Sequence, residues 1–102
     1  LSGRASMPPD PADPGSDTIE RQTEQTLRDI ETVLAAAGAS LSDVVSCLAH
    51  LSDLTLFDRF NAVYGRFFAE PRPVRTTVGA VLMPGLLVEL TVTARRPPGL
   101  TS

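Results

Sequence analysis

With 102 residues, a formal charge of −3 and nine basic residues that are all arginine, the chain is bounded as one domain with scattered positive charge rather than a basic stripe. That argues against nucleic acid as a partner, and the absence of lysine removes every mechanism that needs an ε-amine. No apolar run approaches a membrane span, no secretory signal is visible, and the single cysteine, Cys47, forms no internal disulfide, which fits a reducing cytoplasm.

In chain order, Leu1-Ser2-Gly3 reads as the end of a strand, followed by a flexible, Pro-rich loop over 4–17. Asp17-Thr18-Ile19-Glu20 has capping-box spacing. Ile19, Thr23, Leu27, Ile30, Val33, Leu34 and Ala37 then recur as one face of a helix that ends at Gly38. Val44 to Leu51 is β-rich and apolar on both parities, so a strand covered on both faces is expected, with Val45, Cys47, Ala49 and Leu51 on one side and Val44, Ser46, Leu48 and His50 on the other. Cys47 and His50 lie three apart and therefore cannot form a dyad; Cys47 reads as a small core residue and His50 as a strand-end or interface histidine.

A second helix is predicted from Thr55 or Leu56 to Phe68. Its stripe of Phe57, Phe60, Tyr64 and Phe67 is core at helical spacing, and Pro71 and Pro73 stop it. The last unit is expected to be a hairpin, roughly Val74 to Leu82 and Leu87 to Ala94, turning at Pro84-Gly85-Leu86 with Leu82 opposite Val88. That register puts Arg75 opposite Arg95, on the same face as Glu89 and roughly 20 Å from it along the strand. A site using both would then lie between subunits. Two helices cover only one sheet face, and Leu48, Val44 and Val81 are left on the other, so an oligomer burying those faces is expected.

Arg75 stands out as one guanidinium at the start of an apolar strand. Such a group has an anionic partner, either an Asp or Glu of the protein or a ligand carboxylate. Glu89, on a Thr-rich strand face, reads as a site or a rim residue. Asn61 reads as a substrate contact or as a helix residue bonding a nearby loop.

The order Ser2-Gly3, loop, capped helix ending at Gly38, Ala39-Ser40-Leu41-Ser42-Asp43-Val44-Val45, Leu51-Ser52-Asp53-Leu54, Phe57, Asn61-Ala62-Val63-Tyr64, Phe67-Phe68, Pro73-Val74-Arg75-Thr76-Thr77-Val78-Gly79 and Leu87-Val88-Glu89-Leu90 resembles the Rid (YjgF-like) enamine/imine deaminases over nearly the whole chain. The resemblance implies an α+β, chorismate-mutase-like fold with an antiparallel-rich mixed sheet and two helices on one face. It also implies a homotrimer with its sheets facing inward and clefts at the subunit interfaces.

By the same resemblance, Arg75 grips the carboxylate of a 2-imino or 2-enamino acid and Glu89 holds or activates the attacking water. Thr77 offers main-chain contact near the substrate nitrogen, and the backbone around Gly3 completes the pocket. The implied activity is that of a 2-iminobutanoate/2-iminopropanoate deaminase-like hydrolase with a small carboxylate substrate and no metal or organic cofactor. The alternatives are a pathway-specific relative with another substrate, or a catalytically silent trimer binding small carboxylates or a partner protein. Ribonuclease activity, sometimes attached to the family, is disfavoured by the acidic charge balance. Arg4 stands where the family has glutamine and Thr77 where a cysteine is common. A further strand with a tyrosine-bearing segment precedes Ser-Gly in the family, so the chain reads as an N-terminally short member.

Overall fold

The capping signal at Thr18 sets the start of the first helix. In the computed structural model, which describes residues 2–95, α1 runs Ile19–Ala36, and the Thr18 hydroxyl accepts from the Arg21 backbone N–H at 3.3 Å. At the far end Gly38 takes φ 77°, and Ala39 N–H reaches back to the Leu34 carbonyl at 2.8 Å. Ile19, Thr23, Leu27, Ile30 and Leu34 are buried at helical spacing, whereas Val33, expected on that face, is 58% exposed. The second helix, α2, spans Phe57–Phe67 and is led by a 3₁₀ turn at Leu54–Leu56 capped by the Asp53 carboxylate. A bidentate pair from Arg59 to Glu20, with both contacts at 2.7 Å, ties the two helices together.

Four strands, β1 (Ser2–Ala5), β2 (Val44–Leu51), β3 (Val74–Gly79) and β4 (Val88–Ala94), form one mixed sheet in the order β1-β4-β2-β3. Arg4 and Ala5, expected in the loop, extend β1 opposite Thr91 and Leu90; Leu1 lies outside the described residues. β2 pairs parallel with β3 and antiparallel with β4. The expected hairpin between Val74–Leu82 and Leu87–Ala94 is therefore corrected: β2 lies between its two arms. The physical reason is that β2, α2 and β3 make a crossover unit, in which the helix carries the chain back so that the strands run in the same direction. β2 and β4, the more apolar strands, take the centre. β3, with Arg75, Thr76 and Thr77, takes an edge where polar groups reach solvent.

Both helices pack on one face, over Cys47, Ala49 and Leu51 of β2 and Val88, Leu90, Val92 and Ala94 of β4. β2 is thus covered on one face within the protomer and not on both: Leu48 is 37% exposed. A register shift between Val44 and Ser46 also corrects the expected parity there. It turns Val44 into the core and leaves Val45 facing out, because one extra residue in a strand reverses which way its neighbours point. Ala80 to Leu87 is loop rather than strand. It is clamped to α1 by buried Gln22, whose amide donates to the Gly85 carbonyl at 2.9 Å and accepts from Leu87 N–H at 2.8 Å.

Candidate active site

On β3, alternation sends Arg75 and Thr77 to the helix side of the sheet, opposite Cys47 and Ala49 of β2. At this edge α2 presents its aromatic stripe. The Arg75 guanidinium lies 4.6 Å from the Tyr64 ring centre, 5.3 Å from Phe57 and 5.6 Å from Phe60, while its Nη1 donates to Asn61 Oδ1 at 2.6 Å. A planar, weakly hydrated cation is well matched to ring faces, which orient it without neutralising it. Among the described residues Arg21, Arg28, Arg59, Arg72 and Arg95 each pair with a carboxylate, and Arg75 does not. Asn61 takes one of its five N–H groups, which leaves donors for a carboxylate from outside the protomer.

Below the guanidinium lie Cys47 and Tyr64. Burial pushes the Cys47 thiol up to about 11, against the opposing pull of the Tyr64 hydroxyl and Arg75, and burial raises Tyr64 as well. Cys47 is a protonated floor at neutral pH, not a nucleophile. Thr77 Oγ1, one step further along the same face, is buried with no hydrogen-bond partner among the described residues.

Glu89 is placed elsewhere. It sits directly opposite His50 across the β2–β4 ladder, on the face of the sheet away from the helices, with Oε1 3.9 Å from His50 Nδ1. The two share a cleft of about 510 Å³ with Arg4 and with the loop residues Ala80 to Met83. Arg75 was expected on the same face as Glu89. The structure instead puts them on opposite faces, two strands apart, because their strands flank β2 rather than each other. One protomer cannot present both to one small molecule, as expected, but the obstacle is the sheet itself rather than distance along a hairpin. Gly3 is remote from Arg75, on the other edge strand: it lies on β1 opposite Val92 of the strand that carries Glu89, and lines a 130 Å³ apolar hollow against Ile30 and Leu34.

Of the residues expected in the site, Arg75, Asn61 and Thr77 come together, while Glu89 and Gly3 stand apart from them. Of the aromatic stripe expected in the core, Phe60 and Tyr64 are buried and Phe57 and Phe67 pack partly buried against it, and the surface of Phe57, Phe60 and Tyr64 also carries the guanidinium. His50 beside Glu89 was missed. The signal that could have shown it is the strand–helix–strand order from Val44 to Gly79, which favours parallel β2–β3 pairing and frees the other edge of β2 for β4. Among the described residues no group of three or more His, Cys, Asp or Glu side chains gathers in a way that could hold a metal ion, and no helix is long and apolar enough to cross a membrane.

A mixed four-stranded sheet backed by two helices, with an unpaired guanidinium at one edge and a carboxylate on the uncovered face, defines an α+β protein of the YjgF type. The chain belongs to the family described as Endoribonuclease L-PSP, the YjgF/Rid family, whose family model matches residues 1–96. It is 37% identical over 97 residues to a RutC family protein of Saccharolobus solfataricus, covering 94% of this chain and 77% of that one. To Reactive Intermediate Deaminase A, chloroplastic, of Arabidopsis thaliana it is 36% identical over 84 residues, covering 82% of this chain and 45% of that longer protein. A solved YjgF family structure from Neisseria meningitidis matches with a TM-score of 0.81 at 28% identity, covering 93% of this chain and 78% of that one.

Proposed function

We propose that this protein hydrolyses reactive 2-enamino and 2-imino acids to 2-keto acids and ammonia, at clefts where the β3 edge of one protomer meets the Glu89 face of the next in a homotrimer. The observation that carries this reading is the Arg75 guanidinium: oriented by Asn61 and three aromatic rings, unpaired by any carboxylate among the described residues, and half-buried at an edge strand. It is built to receive a carboxylate bidentately.

A protonated imine is already electrophilic, so the protein has to orient it, exclude bulk water and supply one positioned water. Arg75 fixes the carboxylate and thereby the imine carbon. Glu89 of the neighbouring protomer holds the water and takes its proton. Thr77, on an edge strand with outward-facing backbone groups, offers main-chain contact to the substrate nitrogen. Gly3, on the far edge of its own sheet, can contribute backbone only from another protomer. The chemistry needs no cofactor. Trimer formation draws support from the uncovered sheet face, where Val45, Leu48 and Val78 are 46%, 37% and 38% exposed beside Glu89. The free, buried thiol accords with a cytoplasmic setting.

The test is release of pyruvate from 2-aminoacrylate generated in situ. Arg75→Ala is expected to lower kcat/KM by about a hundredfold, the effect of losing a charge-assisted contact of about 3 kcal/mol. Equal rates in variant and wild type would remove Arg75 from the site, and 2-keto acid binding without any imine hydrolysis would point to a silent binder.

A further inference from the structure

We propose that His50 serves this reaction as the proton partner of Glu89, holding the water-derived proton between attack and ammonia release; the inference rests on the deaminase reading above. His50 faces Glu89 as a directly opposed pair in the β2–β4 ladder, and both side chains are about a quarter exposed within one cleft. Its Nδ1 is buried without a hydrogen-bond partner among the described residues, with Glu89 Oε1 3.9 Å away. An orphaned buried nitrogen is costly, and a small rotation of either side chain would satisfy it by closing the gap. Of the other elements facing the pair, β3 contributes Val78 opposite His50, the loop Ala80 to Met83 carries no charge, and β1 contributes Arg4 to the same cleft. Among the described residues Glu89 is thus the one acid beside His50, and Arg4 the one other ionisable group in the cleft.

Imine hydrolysis needs such a partner because a proton must leave oxygen before one reaches nitrogen. As the water oxygen bonds to the iminium carbon, the C=N pair collapses onto nitrogen and one water proton passes to the Glu89 carboxylate. Transfer onward to His50 Nδ1 restores the carboxylate. The proton then returns through Glu89 to the carbinolamine nitrogen, making it an ammonium leaving group. The C–N bond breaks as the hydroxyl oxygen forms C=O, and the hydroxyl proton passes to Glu89 and leaves with ammonia as ammonium. Two protons from the iminium and two from water account for the four of the product. His50 acts through Glu89 and is a positioning residue, not one that touches substrate.

The experiment measures pyruvate release for the wild type, Arg75→Ala, His50→Ala, His50→Asn and His50→Phe, with each variant's assembly checked by its mass in solution. His50→Ala is expected to lose about a hundredfold in kcat, the usual scale of a general acid–base contribution, with KM unchanged because the Arg75 grip is intact. Added imidazole should restore His50→Ala but not His50→Phe, in which the ring fills the space. His50→Asn keeps an acceptor near the Nδ1 position but cannot carry a proton at neutral pH, and should be as slow as His50→Ala. Wild-type kcat in His50→Asn, or a loss in His50→Ala that imidazole leaves untouched, overturns the proton role while the Arg75→Ala result upholds the deaminase reading. An inactive wild type overturns both.

Discussion

At Arg75 the guanidinium is fixed by one short bond to Asn61 and by ring faces, so its charge is aimed without being spent on an internal ion pair. The residue was legible in the sequence because a lone arginine at the head of an apolar strand demands a partner; its seat was not, because a stripe of Phe and Tyr at helical spacing looks the same whether or not a cation lies on it. Cys47, read correctly as core, carries a pH prediction. Burial raises its thiol from an ordinary 9.0 to about 11, so the unfolded chain loses that proton first as pH rises. Stability is therefore full below pH 9 and falls between pH 9 and 11, by about 3 kcal/mol for a shift of this size. Tyr64, raised in the same direction, adds to the fall from above its ordinary 10.0. Urea midpoints measured across that range should drop steeply for the wild type and more gently for Cys47→Ala; parallel curves would contradict the assignment.

At the scale of elements, helix limits followed from local chemistry: a threonine cap at one end of α1 and a left-handed glycine at the other. Strand pairing did not, because polarity matching tells which residues share a face but not which strand lies alongside. The faces assigned to Arg75, Thr77, Glu89 and Thr91 were right within each strand, and the error lay in joining β3 to β4 across a turn. The bulge at Val44 to Ser46 was equally invisible, since alternation continues unbroken in the sequence while the backbone gains a residue. Gln22 shows how an element far from the site shapes it: its amide clamps the loop that walls the Glu89 cleft. Gln22→Leu leaves the Gly85 carbonyl and Leu87 N–H without their partner and should destabilise the protein by about 1–3 kcal/mol. The same variant should lose activity by loosening that wall, measured as faster amide exchange over 80–87 together with a lower kcat/KM. Unchanged exchange there would mean that the clamp does not hold the loop.

Over the whole molecule, the sheet divides the chemistry. The Arg75 guanidinium lies on the helix side at one edge, and the carboxylate–imidazole pair of Glu89 and His50 lies on the uncovered side. The exposed apolar residues Val45, Leu48 and Val78 on that second face are the surface that a neighbouring protomer covers in the proposed trimer. The expectation of an oligomer rests on two helices for a two-sided sheet; the topology adds that Arg75 and Glu89 lie on opposite faces rather than far apart along a hairpin, so that the proposed site draws on two protomers. The measurement that tests this most directly is mixing. Arg75→Ala and Glu89→Gln proteins, each inactive alone on 2-aminoacrylate, are unfolded together in equal amounts and refolded. If each site takes Arg75 from one protomer and Glu89 from the next, about a quarter of all clefts in the refolded trimers carry both native residues, and about a quarter of wild-type pyruvate release returns. Mixed trimers that remain as inactive as either parent would contradict the shared site.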